Sequence, residues 1–213
     1  MIEKRKAFNF TFRKDTLLAT ITAFLMLPVY YVNTHYGMDS VAVFFIVFIV
    51  VGHLFLNTLI PAYVVIHMGG EGLSGLGITT HNLIKSIVIS IILAVIGSYQ
   101  LMDVAKDFGD VDLLPHLIFN GLVLWEVLFV YGWLQLRFEK AFGYILAPIL
   151  SALCFCFYHV GSFDPAEILT LFFSGLIFGV VFGITKNIFS LTPIAWSVTS
   201  GMGFMMGGFI GGW

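Results

Sequence analysis

Charge is what this 213-residue chain has least of. Asp, Glu, Lys and Arg make up 10% of it, against 59% hydrophobic residues, where a soluble domain carries about a quarter charged. That scarcity excludes an ordinary water-soluble fold. It implies an all-α, polytopic membrane helix bundle, folded as a single membrane domain over 1–213. The net charge of −2 leaves no basic field, so nucleic acid is excluded as a partner. Cysteine is also scarce. Cys154 and Cys156 stand two apart in one apolar run, where a helix turns them to different faces. They are read as buried thiols that cannot bridge each other. Neither His-Glu-x-x-His nor Gly-Lys-Ser/Thr occurs, so the glycine-rich piece from His67 to Gly77 is read as a connector whose glycines serve turns. No low-complexity tract or internal repeat is visible.

What is present is length in apolar runs. A bilayer core of about 30 Å needs about 20 apolar residues in a helix. Seven stretches qualify, at approximately 16–36, 41–67, 81–102, 114–137, 142–161, 166–185 and 189–212, so a bundle of about seven spans (six to eight) is expected. The second is long enough to tilt or bend at Pro61. With the basic segment 1–15 placed in the cytoplasm and the spans alternated, nine of the ten basic residues fall inside, and Lys106 alone falls outside. The positive-inside rule therefore orients the chain with a cytoplasmic N-terminus, as a multi-pass protein of a prokaryotic cell membrane. The first run is read as a retained anchor. Gly175, Gly179 and Gly183 recur at four-residue spacing, which lets helix backbones approach closely and favours internal packing over a dimer face.

Glu126 is the one acidic residue deep inside an apolar stretch, and His159 lies one stretch later. A charged side chain at the centre of a membrane helix costs about 2.5–3.5 kcal/mol on insertion scales. Glu126 is therefore read as functional ahead of structural. Beside an imidazole it can be ionised and can deprotonate water, the general-base role that hydrolysis requires. His159 accepts or donates a proton near neutral pH. His53 and Asn57, four apart on the second stretch, share a helix face and form a polar seam between helices. Zinc fits poorly. A catalytic zinc takes three protein ligands, and only Glu126 and His159 are obvious candidates. No metal and no other cofactor is expected, and no Ser/His/Asp or Cys/His triad is supported.

The segment from Glu126 to Lys140, with Tyr131 and Gly132 inside it, resembles the first motif of the CaaX-processing and bacteriocin-processing (CPBP) family of intramembrane proteases. That motif reads Glu-Glu-x-x-x-Arg, usually followed by Gly. Phe155-x-x-x-His159 is identical to the family's second motif, Phe-x-x-x-His. The segment from Pro193 to Ser200 stands where the third, His-x-x-x-Asn/Asp, is expected. The resemblance covers about 75–205, in order and spacing. It departs at Val127 for the second Glu, Tyr131 for the Arg, Trp196 for the third-motif His and Ser200 for its Asn/Asp. The first-motif losses come as a charge pair, and removing both partners leaves no orphan charge.

The resemblance implies an intramembrane endopeptidase in which Glu126 and His159 activate water, with Trp196 and Ser200 in the positions of the oxyanion or substrate contacts. It also implies a peptide or prenylated protein as substrate. Two other expectations stand beside it. One is a catalytically inactive protein of the same fold that binds a membrane partner or peptide. The other is a small proton-coupled transporter with Glu126, His159, His53 and Asn57 as a relay. The transporter ranks last, because inverted repeats and paired broken helices are not visible. Oligomeric state is left open.

Overall fold

The computed structural model describes residues 6–37, 40–104 and 124–192. Among these the chain is helical throughout, with no strand. The expected fold class is therefore observed. In chain order the helices are α1 (Lys14–Tyr36), α2 (Phe44–Met68), α3 (Leu83–Val104), α4 (124–142), α5 (Leu146–Tyr158) and α6 (Pro165–Thr185). Helices α1, α2 and α6 are long and apolar enough to cross a membrane. The expected seventh span lies almost wholly outside the described residues, as do Gly203, Gly207 and Gly211.

The start of α6 follows from its local sequence. Asp164 caps α6, accepting from the N–H groups of Ala166 at 2.8 Å and Glu167 at 2.9 Å, while the Glu167 carboxylate accepts from the Asp164 N–H at 2.9 Å. With Pro165 at the first helical position, this is a complete capping box. In α2, Pro61 supplies no N–H. The flanking runs Phe44–Leu59 and Val64–Met68 adopt the wider π-type hydrogen bonding, a common response to a locally broken ladder.

Helix α5 corrects one expected span. In place of 142–161, the chain turns at Gly143 and the helix runs only from Leu146 to Tyr158. Gly143 has φ of +90°, a region that costs glycine little and other residues much. The N-terminal strap also crosses it. Asn9 N–H donates to Phe142 O at 3.1 Å and Thr11 N–H to Ala141 O at 3.0 Å, while Tyr144 N–H donates to Lys6 O at 3.1 Å. A Cβ at position 143 would collide with the Lys6 and Ala7 carbonyls.

Beside this turn sits an ion cluster. Arg137, 1% exposed, reaches Glu71 at 3.1 Å and Asp15 at 3.5 Å, and its guanidinium lies 4.9 Å from the Trp133 ring centre. Lys140 also pairs with Glu71, and Lys186 with Glu139. Helix α4 is thereby tied to α1, to the connector after α2 and to the end of α6. Further along, α4 is locked to α6 by two neutral bonds. The Tyr131 hydroxyl donates to Gly175 O at 3.1 Å, and the Gln135 amide donates to Gly179 O at 2.6 Å. The glycines permit the approach. A Cβ at 179 would stand 3.0 Å from Pro148 Cβ, and one at 175 would stand 3.1 Å from the Phe155 ring. Here the small-residue spacing serves internal packing.

Arg137→Ala would leave Glu71 and Asp15 without their buried partner. Both carboxylates are partly exposed, which lowers the usual 3–5 kcal/mol for a broken buried pair to about 2–3 kcal/mol. Thermal unfolding in detergent should show a clear fall in Tm, and an unchanged Tm would remove the cluster from its structural role.

Candidate active site

The turn at Gly143 decides where the two candidate residues sit. Glu126 lies 17 residues before Gly143 and His159 lies 16 after it. Because α5 has only 13 residues, or about 20 Å of helix, its end stops short of a full crossing. His159 and Glu126 come close enough to interact electrostatically.

Glu126 is 5% exposed, and its Oε1 has no hydrogen-bond partner among the described residues. Its carboxylate interacts electrostatically with His159 and with the hydroxyl of Tyr30. No ion pair within 4 Å joins Glu126 to His159 among the described contacts, so the two act on each other through space. His159 follows the last turn of α5. Its Nδ1 lies 2.8 Å from Phe155 O, so Nδ1–H donates and Nε2 keeps the lone pair. The Phe-x-x-x-His spacing gains a physical meaning here, since a residue four back supplies the carbonyl that sets the ring. Phe155 also packs against the imidazole at 5.0 Å, and Phe163 does so at 5.6 Å.

Tyr30 is the residue that sequence reasoning missed. It belongs to the buried face of α1 with Ala19, Ala23 and Met26, while Tyr31 next to it is 57% exposed. That 3.6-residue periodicity was the available signal. The Tyr30 ring stacks on Tyr158 at 5.1 Å and adjoins His159 at 5.9 Å. Tyr131 and Tyr158 also lie within electrostatic range of Glu126.

His53 and Asn57 are both buried, and the Asn57 amide donates to His53 Nδ1 at 3.3 Å. The His53 ring lies 5.4 Å from Trp125, whose indole N–H donates to the Thr58 hydroxyl at 2.6 Å. This seam joins α2 to the residue preceding Glu126, and His53 itself meets Phe48 and Trp125. At the altered first-motif positions, Val127 is buried and Tyr131 is satisfied by Gly175 O. Trp196 and Ser200 lie outside the described residues. Among the described residues, no three His, Cys, Asp or Glu side chains converge as metal ligands would.

Taken together, these features define a helical membrane protein with a buried carboxylate, Glu126, electrostatically coupled to the half-buried imidazole of His159. Residues 111–200 match the family model described as Rce1-like, type II CAAX prenyl endopeptidase Rce1-like. The similarity to that family covers the segment that carries Glu126 and His159, and helices α1, α2 and α6 are those of an integral membrane protein. No curated protein and no solved structure matches it.

The hydrogen bond to Phe155 O fixes a testable state. Nitrogen-15 NMR of the selectively labelled histidines should show His159 protonated on Nδ1 and bare at Nε2 when neutral; the reverse tautomer would remove Nε2 from any role as an acceptor.

Proposed function

We propose that the protein is an intramembrane endopeptidase that hydrolyses a peptide bond with water activated by Glu126 and His159. The observation that carries this reading is the placing of the two side chains. They stand on the helices either side of the Gly143 turn, electrostatically coupled, within the segment matched by the family. Glu126 takes a proton from water while the Nε2 lone pair of His159 orients it. The water oxygen bonds to the scissile carbonyl carbon, the C–N bond breaks, and the proton passes to the leaving amine. Position and local field supply most of such an effect.

The family implies a peptide or a prenylated protein as substrate, met within the membrane. The chain is read as one membrane domain, multi-pass in a prokaryotic cell membrane, with segment 1–15 in the cytoplasm. The clustering of Arg13, Arg137, Lys140 and Lys186 ion pairs at one end of the bundle supports that orientation. Trp196 and Ser200 are kept as candidate oxyanion or substrate contacts. His53 and Asn57 are kept as a polar seam. A second reading has its own support: substitutions at Val127, Tyr131, Trp196 and Ser200 favour a protein that binds a membrane peptide without cutting it.

Purified full-length protein in detergent should cleave a farnesylated CaaX peptide, and Glu126→Gln or His159→Ala should each lower kcat by at least about 10²-fold, the usual scale for removing an acid–base group. Cleavage that survives both changes would sink the peptidase assignment. Unaltered peptide capture with no cleavage by the wild type would establish the binding reading.

A further inference from the structure

Peptide hydrolysis places negative charge on the scissile carbonyl oxygen, and that charge needs a hydrogen-bond donor already in position. The water-activating pair does not supply one. An ionised Glu126 only accepts, and His159 has its N–H committed to Phe155 O, leaving an acceptor at Nε2. The donors beside Glu126 are therefore to be sought among the tyrosines that surround it.

Three tyrosine hydroxyls lie in range of the carboxylate. Tyr131 donates to Gly175 O at 3.1 Å and Tyr158 donates to Ala23 O at 3.1 Å. Tyr30 is different: its buried hydroxyl makes no bond to the backbone among the described residues and faces the Glu126 carboxylate instead. The ring itself is held by packing, stacked on Tyr158 at 5.1 Å and set edge-on to Phe48 at 5.3 Å. The hydroxyl is thus held at Glu126, and the carboxylate weakens as its acceptor once it has taken the proton from water. His53 Nε2 is unpartnered among the described residues, but its ring meets Phe48 and Trp125 and not the catalytic pair.

The geometry points to Tyr30 as a catalytic residue whose hydroxyl donates a hydrogen bond to the scissile carbonyl oxygen as charge develops there. The assignment rests on the peptidase reading above. As the water oxygen bonds to the carbonyl carbon and its proton goes to Glu126, the C=O electron pair moves onto the oxygen. Tyr30 keeps its proton and shares it with that oxygen. When the carbonyl re-forms, the amine leaves with the proton. Tyr30 lies outside residues 111–200, so α1 contributes to the chemistry and is not merely an anchor.

Tyr30→Phe removes the hydroxyl and keeps every ring contact. In the farnesylated CaaX peptide assay kcat should fall about 10²–10³-fold, as for loss of one oxyanion donor, with KM within about threefold of wild type and Tm unchanged. A phosphinate analogue of the same peptide, carrying a fixed negative oxygen at the scissile position, should lose affinity by the same factor. A wild-type kcat in Tyr30→Phe overturns the assignment. So does a fall in kcat with unaltered analogue affinity, which would leave Tyr30 only positioning Glu126. If the wild type itself cleaves nothing, the peptidase reading fails separately, and analogue affinity still decides for Tyr30. Equal affinity in wild type and variant, or no binding to either, overturns it, while weaker binding to the variant supports it.

Discussion

The hairpin at Gly143 is the constraint on which the rest of the site depends. Glu126 and His159 are 33 residues apart in sequence and sit on different helices, so only the turn between them fixes their relative depth. That turn is held from two sides. The strap at Lys6–Thr11 pairs with its backbone, and the Arg137 cluster pins α4 beside it to α1 and the Glu71 connector. An ion pair in a membrane protein gains most where one partner is removed from water and the others stay at its edge. Arg137 is buried while Asp15 and Glu71 are partly exposed, so the cluster suits the end of a bundle. A slip of α4 by one residue would break these pairs and shift Glu126 past His159.

Above the ion cluster, the same helix is held by neutral contacts alone. Tyr131 and Gln135, one turn apart, reach carbonyls of Gly175 and Gly179, also one turn apart, on α6. Matching spacings of four residues on both helices make this a ladder of two rungs. Neutral donors cost less to bury than charges, and a glycine at each acceptor lets the helices come close enough for the bond. The altered first motif fits this arrangement. Where related sequences carry Glu and Arg, this chain has Val127 and Tyr131, which together bury no charge and leave no carbonyl-facing donor unpaired. The exchange preserves a helix contact in a different chemical form, and it isolates Glu126 as the single buried acid of α4.

Much of this was legible in the sequence, and the reasons it stopped are physical. Hydropathy located the helices because lipid demands that backbone groups be satisfied within each span. It also singled out Glu126 by its cost. Hydropathy could not see that α5 ends at Tyr158, since the apolar run continues through Val160 while Gly143 and the Lys6–Thr11 strap set the start of the helix. Tyr30 escaped notice because an aromatic residue in an apolar helix resembles packing. Its distinction from Tyr31 is a matter of which face is buried and what its hydroxyl meets, and the second of these is a property of three helices together.

The segment that carries Trp196 and Ser200 is where the sequence departs furthest from the expected third motif. A developing oxyanion in an apolar surrounding has no solvent to turn to, so its donors must come from the protein itself. The described helices already contain the necessary element. α1 presents the Tyr30 phenol to the Glu126 carboxylate, and its two tyrosine neighbours have their hydroxyls tied to backbone carbonyls. Chemistry in this bundle therefore depends less on restoring the family's missing residues than on the registration of α1 against α4. That registration is set by Arg137 and Asp15 at one end, and along the same face by the bond from the Trp133 indole to the Thr22 hydroxyl at 3.1 Å.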